Sequence, residues 1–482
     1  MSTAIRYTRF PPHTPGTADP AALPQDAATG TVAQAVQPAG RMAGLAQTDR
    51  LHPAIFLLLI CIAMPFYFTV GSLWMSPNRA VLLLFFFPAV ARWLSGAAGR
   101  IRGADFWVIG LCIWGAVAMF VSDGTNTIQF SGMMTVETFG AYLMGRAYIR
   151  TEAQYRTAIR VLGIIILVLI PGAIIESTTG IRIYNRLFDP ILHTFPWANY
   201  EKRLHMFRAQ TVFEHPILYG VFTAFCFAPL FAIARTRAGR LKSWISASPS
   251  IIATFFCLSM GAYLGVMIQL MLMAWGLVLR NVRNRWKILG GLVVAAYIFV
   301  DIFSNRTPFQ VFSSYVTFDG QTAYWRVLIF KYGMENVWAN PVFGLGAFVG
   351  DWKRPDFMVT SSVDNLWLVF TLRYGILGFF LILGSFLSVL IGLMRAKLTE
   401  PVLRAHRDAL AFSLIGLGFA TTTVHLWNAT FIFMMFMLGA SAWLSDVGSE
   451  AQVSRPEDVA GAGSARRVSD RTGLRARQPQ AR

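Results

Sequence analysis

Two polar stretches in this apolar chain carry the side chains most able to do chemistry. The first, R-L-H-M-F-R-A-Q-T-V-F-E-H-P-I-L-Y-G, holds Arg203, His205, Arg208, Glu214 and His215 ahead of Gly220. The second begins Q-T-A-Y-W-R-V-L-I-F-K-Y-G-M-E and holds Arg326, Lys331 and Glu335. It continues through Asp351, Lys353, Arg354 and Asp356 to Asp364, Asn365 and Arg373. Arginine dominates both. Guanidinium forks match phosphate oxygens in bidentate fashion, so the set suits a diphosphate substrate.

Other chemistries find less support. No D-x-D or D-x-x-D motif stands in these stretches, which disfavours a nucleotide-sugar transferase that works through a divalent cation. No G-x-S-x-G is present there either, so a serine hydrolase lacks its nucleophile turn. Cys61, Cys112, Cys226 and Cys257 all fall within apolar runs without C-x-x-C spacing and read as packing residues. No metal or cofactor is expected. Several candidates also have plainer roles. Arg203, Lys353 and Arg373 can anchor to lipid phosphate, and His215-Pro216 can cap a helix. Glu137 lies inside an apolar run, where a lone charge is costly, so it needs a partner or a wet cavity; Arg146 is one candidate.

The elements that must position these groups are membrane spans. Of the 482 residues, 55% are hydrophobic and 14% charged, outside the range of soluble globular chains. Apolar runs of roughly 17–25 residues recur throughout. The expected spans are 53–73, 80–94, 106–121, 128–148, 161–175 and 216–234, then two within 250–279, then 288–303, 366–393, 409–423 and 430–444. The run 250–279 is too long for one helix without strong tilt, and S-M-G-A-Y-L-G at its middle predicts a break. The net charge of +18 sits mostly in short loops between spans, a topological pattern and not a nucleic-acid footprint. The expected fold is all-α, a polytopic membrane protein of about twelve helices. With a cytoplasmic N-terminus, the basic short loops fall inside, while 176–215 and 304–365 both fall outside. Loops of that length in a compact protein usually serve function. In 321–339 the aromatic and apolar residues recur at helical spacing, and Asn340-Pro341 predicts the stop of an amphipathic surface helix. Residues 1–50 and 446–482 read as disordered cytoplasmic tails around a membrane domain at 51–445.

Taken in order, these motifs resemble the O-antigen ligase and polymerase superfamily of bacterial inner-membrane proteins, which includes exopolysaccharide polymerisation proteins. The segment R-A-Q-T-V-F-E-H-P-I-L-Y-G (208–220) resembles the entry to a central helix of that family. In S-M-G-A-Y-L-G (259–265) Met260 stands where the family has arginine. The run A-Y-W-R…N-P-V-F-G-L-G…D-W-K-R-P…S-V-D-N-L-W-L…R-Y-G-I-L-G resembles its large periplasmic loop, between the ninth and tenth helices, and the helix after it. The resemblance covers roughly 50–445 and is strongest over 205–380.

The resemblance implies metal-independent glycosyl transfer at the periplasmic face of the inner membrane, with both termini cytoplasmic. The donor would be a glycan on undecaprenyl diphosphate. The acceptor would be lipid A core sugar in a ligase, or a second lipid-linked glycan in a polymerase. Partners would include membrane lipids and the polysaccharide export or chain-length proteins. Arg208 and Arg326 are the positions implied to hold the diphosphate, with Arg203, Lys331 and Asn365 nearby. Ligases carry a histidine before asparagine at the end of the large loop, where this chain reads Asp364-Asn365. Asp364 is therefore one expected general base and His215 the other, and the departure leans towards polymerase. Two other classes compete. A lipid-linked oligosaccharide flippase would show similar halves and midplane charge. A non-catalytic scaffold would leave the external arginines without a role.

Overall fold

The computed structural model describes residues 50–71, 73–195, 202–315, 320–347, 349–358 and 361–453. The expected N-terminal tail lies outside the described residues save for its last one. The chain is mostly helical. It begins with α1 (Pro53–Ile62), capped by His52, whose ring nitrogen accepts from Ala54 N–H at 3.2 Å. At 10 residues α1 is about 15 Å long and cannot cross a bilayer alone. The first expected span, 53–73, therefore ends early. Pro65 blocks continuation, and the aromatic, β-branched run F-Y-F-T-V forms β1 (Phe66–Val70) instead. It pairs antiparallel with β2 (Leu73–Met75), and further along the chain with β3 (His193–Thr194), in the order β2-β1-β3. The fold is thus helical with one small sheet, where only helices were expected.

The other helices follow the apolar runs. They are α2 (Pro77–Leu94), α3 (Gly103–Asp123), α4 (Ile128–Thr135), α5 (Ala141–Tyr148), α6 (Glu152–Thr179) and α7 (Ile183–Phe188). Next come α8 (Pro216–Phe225), α9 (Phe227–Phe256), α10 (Met260–Val278), α11 (Arg285–Phe303), α12 (Pro308–Tyr315) and α13 (Gly320–Ala339). The last are α14 (Leu366–Arg395), α15 (Pro401–Ala420), α16 (Asn428–Ala440) and α17 (Ala442–Val453). A π-helical turn, Val136–Gly140, joins α4 to α5. The predicted stop at Asn340-Pro341 is observed, since α13 ends at Ala339. The predicted break within 250–279 falls at Cys257–Ser259, earlier than the middle of S-M-G-A-Y-L-G. The helix before it reaches back to Gly239, which adopts φ 86° and turns the chain, so Arg240 and Lys242 are helical and not in a loop. The expected C-terminal tail is helical to Val453, and Asp446 within it is buried.

Among the described residues seven helices are long and apolar enough to cross a membrane. They are Gly103–Tyr148, Glu152–Thr179, Pro216–Thr236, Met260–Val278, Arg285–Phe303, Leu366–Arg395 and Asn428–Gly448. Burial ranks them. Pro216–Thr236 and Asn428–Gly448 are almost wholly enclosed, whereas α11 buries no residue and presents Leu292, Val293, Tyr297 and Phe299 outward. The first two are the centre of the bundle, and the outward apolar face of α11 suits lipid.

Helix ends gather in two sets. In the first, the start of α3, the end of α5 and α17 meet through Asp105, Arg146 and Asp446, while Glu152 on α6 meets His406 on α15 at 3.2 Å. In the second, the starts of α2 and α16 meet the loop before α8 through Arg79, Asn428 and Glu214. There too Leu366 N–H, at the start of α14, donates to Thr421 C=O at 3.0 Å, just past α15. The 21 residues of α3 put about 30 Å between its two ends. The candidate side chains lie with the second set.

Candidate functional site

The loop before α8 is held by backbone hydrogen bonds to two helices. Arg203 and Met206 exchange backbone bonds at 3.0 and 2.9 Å across a tight turn whose corners, Leu204 and His205, have φ of 51° and 61°. Phe207 N–H donates to Ser177 C=O and Ala209 N–H to Phe256 C=O, both at 2.9 Å. Thr211, at φ 53°, donates its N–H to the Glu176 carboxylate at 2.8 Å. Arg208 is thereby fixed between the ends of α6 and α9. Arg203 reaches across to the turn between α9 and α10, donating to Leu258 C=O at 2.8 Å. Leu258 itself has φ 47°. Among the described residues the non-glycine positions of positive φ are Leu204, His205, Thr211, Leu258 and Asn428, and all border this site. Backbone strain of this kind costs ~1–3 kcal/mol per residue and clusters where function needs a fixed geometry.

The second loop supplies the facing wall. It has its own small core, in which Trp352 packs with Ile329, Val337, Met358 and Leu368. Trp352 Nε1–H donates to Ser361 C=O at 3.0 Å, and Asn336 holds Lys353 through bonds of 2.7 and 2.9 Å. The glycine-rich run after Pro341 docks onto α14 where Gly375, at φ 71°, breaks the helix. The break frees carbonyls that Leu345 N–H and Gly346 N–H take up, at Leu372 (2.6 Å) and Arg373 (3.1 Å). A side chain at Gly375 would run into the Val342 carbonyl. This packing brings Arg326 on α13 to Asp364 and Asn365 at the start of α14, and the three line one cleft with Phe309, Ile329, Phe330, Leu368 and Thr422. Asp364 accepts from Ser362 Oγ–H at 2.9 Å.

The charge of Arg203 acts on groups in both walls. Burial lowers the basicity of Arg326, Asp364 opposes that, and the Arg203 charge adds to it. His215 lies in the field of Arg208 and Arg203, and together with its burial these cations push its pKa down to about 3. The Arg203 charge is thus felt at both Arg326 and His215, with Asp364 acting on the first and Arg208 on the second. A third set of residues borders these groups. Glu214 accepts from Trp427 Nε1–H and from Asn428 Nδ2–H (2.5 Å), and Asn428 accepts from Arg79 Nη2–H at 2.7 Å. Arg79 Nε–H donates to Glu137 at 2.5 Å. The Trp427 ring lies edge-on to His215 at 5.9 Å and tilted against His425 at 5.7 Å.

The expected residues take distinct places. His215 caps α8, its Nδ1 accepting from Ile217 N–H at 3.0 Å, and in the neutral state its low pKa enforces it is a weak base. Asn365 caps α14, accepting from Leu368 N–H at 3.0 Å, and also lines the cleft. Lys331 is exposed, its ammonium 5.1 Å from the Tyr332 ring centroid, and is not among the cleft-lining residues. Glu137 pairs with Arg79 and not with Arg146, because Arg146 is committed to Asp105 and Asp446 at the other end of the helices. Arg79, Trp427 and Asn428 were not singled out by sequence. Arg79 carried a signal all the same: it is a basic residue in a short connection outside the pattern that gathers the others on one side. No group of three or more His, Cys, Asp or Glu side chains suited to a metal occurs among the described residues.

Residues 243–383 match the family model described as O-antigen ligase. The matched stretch runs from within α9 to within α14 and includes Arg326, Asp364 and Asn365; Arg203, Arg208 and His215 precede it. No curated protein matches the chain.

Proposed function

Since the chain carries an O-antigen ligase domain and with it a place in the O-antigen ligase and polymerase superfamily of bacterial membrane proteins, we propose that it transfers glycan from a polyprenyl diphosphate at the outer face of the inner membrane. Arg203, Arg208 and Arg326 hold the diphosphate. The acceptor hydroxyl attacks the anomeric carbon, the bond to the diphosphate oxygen breaks, and the charge released onto that oxygen falls among the three guanidiniums. Asp364, beside Arg326, takes the hydroxyl proton. It is favoured over His215, which caps a helix and is held at low basicity. The acceptor is a second lipid-linked glycan, in keeping with aspartate where the ligases have histidine. The step needs no metal. The observation that carries this reading is the cleft shared by Arg326, Asp364 and Asn365, within the stretch that matches the family model described as O-antigen ligase.

We also propose about twelve passes with both termini cytoplasmic. The helix ends on the Asp446 side carry or adjoin Arg92, Arg100, Arg156, Arg404 and Arg407, the bias expected of a cytoplasmic side. The second set of helix ends, with the arginine site, then faces outward. A flippase draws little support. The enclosed helices α8 and α16 carry no acidic or basic side chain, so no charged path runs along them. The test is to incubate purified protein with an undecaprenyl-diphosphate-linked repeat unit and score free lipid diphosphate and chain length. Release and chain growth are expected from the wild type and not from Arg208→Ala or Arg326→Ala; full activity in both variants would refute the proposal.

A further inference from the structure

A second cavity of about 280 Å³ lies beside the arginine site, close to the size at which ligand pockets begin. Its lining includes Trp74 on β2, Arg79 on α2, and Asn126, Gln129, Phe130 and Glu137 along the turn before α4, α4 and the π-helical turn. Three features mark it as more than a packing gap. Glu137 is buried within the π-helical turn, and such turns inside α-helices often mark functional sites. Arg79 and Glu137 neutralise each other at 2.5 Å, so the wall offers hydrogen-bond donors and acceptors while its ionic pair is closed. Trp74 is 57% exposed, yet its ring is fixed: it stacks on Tyr67 at 4.7 Å and 4°, and its carbonyl accepts from Arg79 Nη1–H at 2.8 Å. A rigid exposed indole next to amides, a guanidinium and a carboxylate suits a ligand with an apolar face and many hydroxyls. The bonds from Arg79 through Asn428 to Glu214 and Trp427 tie this cavity to His215 and hence to the arginine cluster.

We propose that this cavity is a sugar-binding subsite that takes a pyranose ring of the acceptor glycan, stacked on Trp74 and hydrogen-bonded by Arg79, Glu137, Asn126 and Gln129. The identification of the ligand as an acceptor rests on the glycosyl-transfer reading, whereas binding of a neutral sugar is separable from it. Arg79→Ala or Glu137→Ala strands a buried charge and can unfold the protein, so the informative changes are at exposed Trp74 and Gln129.

The experiment is saturation-transfer NMR on the full-length protein in lipid nanodiscs, with a panel of methyl glycosides of glucose, galactose, mannose and rhamnose. At least one glycoside should give transfer with the wild type and equally with Arg208→Ala. The same glycoside should bind about two- to tenfold more weakly to Trp74→Ala, the scale of one aromatic contact, and more weakly to Gln129→Ala. No transfer from any glycoside, or wild-type transfer in both Trp74→Ala and Gln129→Ala, overturns the subsite. Turnover of the lipid-linked repeat unit is read in parallel. If Arg208→Ala keeps turnover, the glycosyl-transfer reading fails whether or not sugar binds. If it abolishes turnover while no glycoside binds, the subsite alone fails.

Discussion

Arginine clusters occur at both ends of the helix bundle, and they differ in what surrounds them. At the Asp446 end, Arg102 and Arg150 each bond that carboxylate at 2.5 Å, and Arg146 reaches it at 3.2 Å. Arg146 also faces Asp105 at 3.5 Å and donates to the carbonyls of Ala98 and Arg100, while Tyr142 O–H donates to Asp105 at 2.5 Å. The anions and carbonyls converge on the guanidiniums, and Arg146 is wholly enclosed. This is a latch that ties α3, α5 and α17 together. At the other end Arg203 and Arg208 come from the loop before α8 and Arg326 from α13, with Asp364 beside Arg326. Their loops are held by strained backbone, and the site borders a cavity. Arginine alone therefore does not mark a site. What distinguishes the two ends is enclosure: the Asp446 cluster is walled in around Arg146, whereas Arg326 at the outer end lines a cleft.

The comparison can be broken at either end, and the largest effect is expected at the latch. Asp446→Ala should strand buried guanidiniums and cost ~3–5 kcal/mol, read as loss of the folded protein from membranes, while the fraction that folds keeps its turnover. Arg208→Ala and Arg326→Ala should do the reverse, lowering turnover by ~10²–10³ with membrane levels unchanged. If either of the outer changes removes the protein instead, the distinction between the ends fails.

Gly375→Ala tests the scaffold that carries Arg326 to Asp364. The added carbon meets the Val342 carbonyl and the residue must keep φ 71°, so a loss of ~1–3 kcal/mol in thermal unfolding is expected. His215 sharpens the account of the base. With its pKa pushed down to about 3 in the folded protein, it binds fewer protons than in the unfolded chain at mildly acidic pH. Its contribution should lower stability as pH falls from about 6.5 towards 3, and His215→Gln should weaken that acid sensitivity. The same change should leave the pH–rate profile between about 5 and 8 without a lost inflection. Lys331→Ala is the smallest change. An exposed cation outside the cleft should alter stability by less than ~0.5 kcal/mol and turnover hardly at all.

Much of this was legible in the sequence. Apolar runs mark most of the helices, Asn340-Pro341 stops α13, and the two arginine-rich loops stand out by composition alone. Hydropathy is a property of windows, and these features are properties of windows. What failed was local or distant. The short α1 was read as a full span because F-Y-F-T-V is as apolar as a helix would be, although its β-branched and aromatic content favours a strand. The C-terminal boundary was set too early because Asp446 looks like tail composition, and only Arg102, Arg146 and Arg150, far away in sequence, show why it is buried. The Arg79–Glu137 pair spans 58 positions, and nothing in the spacing of either residue announces the other. Arg203 reads equally as a lipid anchor or as a diphosphate ligand in sequence, and its bond to the Leu258 carbonyl, from a third segment, is not announced by spacing.

The central claim is that the three outer guanidiniums hold one diphosphate. The most direct measurement is the affinity of the full-length protein in nanodiscs for undecaprenyl diphosphate, compared across wild type, Arg208→Ala, Arg326→Ala and the double variant. Each single change should weaken binding, and the double variant should lose less than the sum of the two, since both charges act on one ligand. Wild-type affinity in both single variants, or strictly additive losses from two independent sites, would contradict the account.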